Sequence, residues 1–179
     1  MFVLWLILAA LAVLVAVVLV RTVRFTPGPA PAVPAGEETI DRDKAVENLR
    51  TLVRCRTVSN TDRALEDEAE FEKLVHTLPE LYPNVFKVCK FERLEALLFT
   101  WAGKAHTDPT VLMAHYDVVD VDEAGWKKPP FDAVLEDGVV WGRGTLDTKV
   151  TFNGVLTAAD KLIGEGYVPA QDIYFAFSG

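Results

Sequence analysis

Residues Met1 to Val20 carry only apolar side chains. A helix that is apolar all round has no face to show water, so this run cannot be an ordinary surface helix of a soluble domain. At about 1.5 Å per residue it is about 30 Å long, the thickness of a bilayer's hydrocarbon core. A cleaved signal peptide is the other reading, but its apolar stretch is usually shorter, roughly 7–15 residues, and follows a basic start. Here no Lys or Arg precedes the run, whereas Arg21 and Arg24 follow it. Length therefore favours a retained, single-pass transmembrane anchor over residues 1–20. By the positive-inside rule the two arginines place the rest of the chain on the cytoplasmic side.

Polarity changes abruptly after the run. Residues 21–36 form a linker whose segment Thr26 to Gly36 (TPGPAPAVPAG) is rich in Pro and Ala and uncharged, a semi-rigid spacer. All 26 acidic residues and 16 of the 18 basic ones lie beyond Gly36, which gives residues 37–179 a net charge of −10. An acidic surface without Lys/Arg clusters repels phosphate backbones and excludes nucleic acid as a partner. Cys55 and Cys89 form no CxxC pair, make no thiolate metal site, and read as small core residues.

Within residues 37–179 the apolar period alternates between helical and strand-like. Asp41 is placed to cap a helix carrying Ala45, Leu49, Leu52 and Val53, and a second helix, Leu65 to Leu78, puts Phe71, Leu74, Val75 and Leu78 on one side. Strand-like runs follow at Val85–Val88, Ala96–Trp101 and Thr110–Ala114. Asp137-Gly138, between Ala133-Val134-Leu135 and Val139-Val140-Trp141, signals a hairpin. A helix from Phe152 to Ile163 buries Val155, Leu156, Ala159 and Leu162 and stops at Gly164; Ile173 to Phe177 reads as a buried strand. Mixed strands and helices make this an α/β domain.

Two segments carry chemistry. In Met113-Ala114-His115-Tyr116-Asp117-Val118-Val119 an apolar strand ends in a histidine with a carboxylate two positions on. Residues i and i+2 of a strand face the same way, so His115 and Asp117 project together at the strand's carboxyl end, where α/β sheets place their sites. A metal-ligating imidazole needs an acceptor for its other N–H, and a carboxylate supplies one. The second segment, Trp141-Gly142-Arg143-Gly144-Thr145-Leu146-Asp147-Thr148-Lys149, sets Asp147 just before the helix around Phe152. A carboxylate can bridge two cations about 3.5–4 Å apart, as in co-catalytic metal sites. Taken alone, Asp147 serves equally well as a helix cap and Arg143 as a surface charge.

HYDVVDV, GWKKPPFDAVLEDG and VWGRGTLDTK, in this order and spacing, resemble the co-catalytic zinc peptidases and amidohydrolases: carboxypeptidase S, the aminoacylases and acetylornithine deacetylase. The GRGTLDTK version is most similar to the carboxypeptidase S branch, and the resemblance runs from about Asn48 to Gly179. It implies a mixed sheet flanked by helices and two Zn2+ ions in a complete active site. His115 would ligate one ion, Asp147 would bridge both, and Asp117 would act in catalysis by orienting His115. A cis peptide is implied at Asp147-Thr148. His76 and His106 match no ligand of the family and read as surface histidines.

The implied reaction is zinc-dependent hydrolysis of an amide bond in a small peptide or N-acyl amino acid. In the family, the strand matching Ile173–Phe177 leads into paired glutamates, a general base and a ligand, and further ligands and a dimerisation domain follow. Residues 37–179 are accordingly expected to be a partial catalytic domain, truncated at its C-terminus, inactive alone and able to form a homodimer only within the complete protein. The resemblance favours an extracytoplasmic domain, against the two arginines. The competing expectation is a non-catalytic, membrane-attached fragment or binding module derived from such an enzyme.

Overall fold

A computed structural model describes residues 2–28 and 39–179. The chain divides into two units, 1–38 and 39–179. In the first, the apolar run forms a single helix, α1 (Phe2–Val23), with every side chain exposed. Its 22 residues, about 33 Å at 1.5 Å each, are long and apolar enough to cross a membrane. Half of the linker, 29–36, and the expected domain start at Glu37 lie outside the described residues.

The second unit is a four-stranded mixed sheet with helices packed on one face. Its helices are α2 (Arg42–Val53), α3 (Glu68–Leu81), α4 (Pro83–Val88) and α5 (Val150–Gly164); its strands are β1 (Lys90–Arg93), β2 (Ala96–Trp101), β3 (Ala105–His115), β4 (Val134–Glu136), β5 (Val139–Trp141) and β6 (Gln171–Ser178). The sheet order is β1-β2-β6-β3. β6 runs antiparallel to β2, pairing Leu97 with Phe177 and Phe99 with Phe175, and parallel to β3, pairing His115 with Ser178. The parallel pair brings the carboxyl ends of β3 and β6 to one edge of the sheet. β4 and β5 form the separate hairpin read from Asp137-Gly138, both of which adopt positive φ.

Alternation along β2 and β6 decides which face is covered. Leu97, Phe99, Trp101, Phe175 and Phe177 are buried and pack with Leu74 and Leu78 of α3, Val85 of α4 and Phe152 and Leu156 of α5. Phe152 and Phe177 meet at 4.4 Å between ring centroids, and Phe91 and Phe99 at 4.7 Å. Aromatic pairs at these distances add to simple area burial. Cys55 and Cys89 are buried, unpaired thiols in the same core, and burial pushes Cys89 up to about 11.

Several expected boundaries move. The run at Val85–Val88 is the helix α4, not a strand: Pro83 occupies its first turn, and the Asp160 carboxylate accepts from the N–H groups of Asn84 (2.7 Å) and Val85 (3.2 Å). Those two bonds satisfy amides that a helix start leaves free. Extended chain begins only at Lys90, as β1. The second helix starts at Glu68 rather than Leu65, because Asp67 caps it through the Ala69 N–H at 3.1 Å, and it runs on through Pro79 to Leu81. β3 reaches back to Ala105 across an irregularity before Thr110. The Asp41 cap and the buried positions Leu49, Leu52, Val53, Leu156 and Ala159 stand as read.

Candidate metal centre

His115 ends β3 where the strand leaves the sheet. Its Nδ1 lies 3.0 Å from Asp117 Oδ1 and its Nε2 3.1 Å from Asp147 Oδ1. Nδ1 also lies 3.1 Å from the Asp117 carbonyl. The three residues read from the sequence therefore stand together, with the imidazole between two carboxylates. Burial of the ring opposes protonation, and the hydrogen bonds and negative charges of Asp117 and Asp147 outweigh it, so the imidazole pKa is raised. Asp147 is 90% exposed, which leaves its second oxygen free to face an incoming group.

The donor chemistry fits a divalent ion such as zinc. With Nδ1 committed to Asp117, Nε2 is the nitrogen directed at Asp147, and an imidazole nitrogen beside a carboxylate oxygen is a donor pair zinc accepts. Among the described residues no third His, Cys, Asp or Glu joins the pair to make a metal-holding group. His76 and His106 are exposed; the His106 ring contacts Asp172 at 3.0 Å, far along β3 from His115.

The loop from Gly142 to Lys149 presents Asp147. Gly144 has φ +82 and a side chain there would meet Val118 Cγ1 at 2.5 Å, so the close approach of this loop to the β3 segment requires glycine. Asp147-Thr148 is a cis peptide. The capping alternative for Asp147 is not realised: α5 begins at Val150 with no side-chain cap bond. Arg143 is no plain surface charge either, since its guanidinium lies over the Trp126 ring at 5.1 Å.

Lys149 is the residue that motif reading passed over. It is completely buried, and its Nζ donates to the carbonyls of Leu52 (2.9 Å) and Cys55 (2.7 Å), at and just past the end of α2. Burial lowers its pKa to about 8. A signal was present: Lys149, Phe152, Leu156 and Ala159 fall on one helical face.

Residues 111–179 match the peptidase family M20/M25/M40. That segment contains His115, Asp117 and Asp147, and its match to the family agrees with the resemblance its motifs carry. The chain is 37% identical over 142 residues to the N-fatty-acyl-amino acid synthase/hydrolase PM20D1.1 of Danio rerio, covering 74% of this chain and 27% of that protein. It is 34% identical over 147 residues to carboxypeptidase S of Saccharomyces cerevisiae, covering 74% and 25%. In fold it is similar to human carnosine dipeptidase 1, with a TM-score of 0.62 at 16% identity over 76% of this chain and 31% of that one. The chain thus spans about a quarter of the length of these two sequence relatives.

Proposed function

We propose that this chain supplies His115 and Asp147 as ligands to the zinc centre of an M20-type hydrolase that cleaves an amide bond in a small peptide or N-acyl amino acid. The observation that carries the proposal is the clamping of one imidazole between Asp117 at 3.0 Å and Asp147 at 3.1 Å. The substrate class follows the activities for which the relatives are named, a carboxypeptidase and an N-fatty-acyl-amino acid synthase/hydrolase. Zinc, when bound, supplies Lewis acidity and a water acidified towards neutrality. The Asp117 backbone carbonyl accepts from Nδ1 and its carboxylate stands 3.0 Å from the same nitrogen, which presents Nε2 as the donor, while the exposed carboxylate of Asp147 offers two oxygens. α1 would attach the unit to a membrane, on the extracytoplasmic side.

Two donors hold zinc weakly, because a stable site uses three or four protein ligands. The 179-residue chain by itself is therefore expected to show no measurable hydrolysis with zinc supplied. The test compares zinc content and turnover of an N-acyl amino acid and a dipeptide by this chain and by a version continued with the equivalent downstream part of an M20 relative. Turnover by the continued version, lost on His115→Ala, supports the proposal. Tight stoichiometric zinc and turnover by the 179 residues alone would overturn the two-donor account.

A further inference from the structure

The two segments that carry the candidate ligands share one base, the end of α2 and the turn after it, from Leu52 to Ser59. On one side this turn holds the β3 segment: Thr57 Oγ1 donates to the Tyr116 carbonyl at 2.5 Å, Val118 N–H donates to Thr57 O at 2.8 Å, and Ser59 N–H donates to Val118 O at 3.0 Å. Thr57 is completely buried. On the other side it receives the Lys149 ammonium through Leu52 O and Cys55 O. The lysine stem passes beneath its own loop, close to Gly144, and Lys149 N–H donates to Gly144 O at 2.9 Å. Gly142 rests against Val53, where an added methyl group would stand 2.6 Å from Val53 Cγ1.

A buried ammonium with two neutral acceptors is costly to place and is retained only where something fixes it. Asp147 itself, two residues away and 90% exposed, has no packing of its own to hold it near His115. We propose that Lys149 is a positioning residue: by pinning the Gly142–Lys149 loop to the turn that also seats His115, it sets the separation of the His115 and Asp147 donor atoms. The link to metal rests on the reading of His115 and Asp147 as ligands; the pinning itself does not.

The test uses the full 179-residue chain in detergent, with Lys149→Met, which keeps the stem and removes the ammonium. Tyr82→Phe is the control, because it removes a buried hydrogen bond of similar depth, to Asn153 Oδ1 (2.7 Å) one helical turn beyond Lys149, and leaves the Lys149 ammonium and its two carbonyls in place. Without metal, amide exchange at Leu146, Asp147 and Thr148 should accelerate at least about tenfold in Lys149→Met and stay unchanged in Tyr82→Phe. With Co2+ as probe, the paramagnetic shift of the His115 imidazole resonances should need about 10–100-fold more metal in Lys149→Met than in Tyr82→Phe. Unchanged loop exchange overturns the pinning. A loosened loop with Co2+ affinity lowered by Asp147→Asn but not by Lys149→Met overturns the positioning role. Loop loosening with no effect of Asp147→Asn on Co2+ leaves the pinning intact and removes the ligand reading instead. Should Lys149→Met fail to fold, Lys149→Arg, which keeps charge but not the reach to both carbonyls, carries the same comparison.

Discussion

A carboxylate can serve a metal in two ways, and His115 has one of each kind beside it. Asp147 faces Nε2 and would touch the ion; Asp117 faces Nδ1 and would act through the ring. The two variants should therefore separate. His115→Ala should abolish metal uptake, whereas Asp117→Asn should leave the ligands and the Nδ1 bond to the Asp117 carbonyl in place and lower affinity about 10–100-fold, because it removes the negative charge 3.0 Å from Nδ1 that raises the basicity of the ring. Zinc analysis and the Co2+ titration of the His115 resonances measure this; an Asp117→Asn chain that binds as the parent does would remove Asp117 from the site. The HxD spacing was enough to find this pair, since period-two geometry acts over neighbours. The contact with Asp147, 32 residues on, rests on folding of the intervening loop and hairpin.

Elements here are fixed by side chains far away in sequence. α4 exists because Asp160, on α5, accepts from two amides at its start. Asp160→Ala should leave both donors unpaired, one of them buried, and cost about 1–3 kcal/mol, read as a lower urea midpoint. At the opposite end of the sheet, the Gly103 N–H and then the His106 ring hold the Asp172 carboxyl below the usual carboxylate range. A carboxyl with a depressed folded pKa contributes stability that is present above its unfolded pKa and lost as pH falls through the folded one. The stability gap between the parent and Asp172→Asn should therefore be full near neutral pH and close as the pH drops below about 4. Urea midpoints between pH 7 and pH 2 test this, and a gap independent of pH would mean the hydrogen bonds matter but the charge does not.

At the scale of the molecule, α1 and the α/β unit are built for different surroundings: one shows water nothing polar, the other buries a core of phenylalanine and leucine under a sheet. The apolar length of α1 predicts that carbonate-washed membranes retain the protein. Recovery of a soluble, N-terminally shortened form would identify a cleaved signal instead, and protease protection in sealed vesicles decides whether the α/β unit lies on the cytoplasmic side, as Arg21 and Arg24 predict, or on the other.

The sequence by itself determined the features that depend on neighbours along the chain. These are the apolar helix, the Asp41 cap, the Asp-Gly hairpin, the strand ending at His115 and the projection of His115 with Asp117. Tertiary structure decided the rest. Val85–Val88 has a strand's composition, yet Asp160 satisfies its first amides and makes it a helix. Lys149 reads as a polar residue at a helix start, yet its ammonium is buried because two carbonyls nearly a hundred residues earlier accept its protons. In both cases the partner that lowers the free energy is absent from any local window, and folding alone brings it within hydrogen-bond reach.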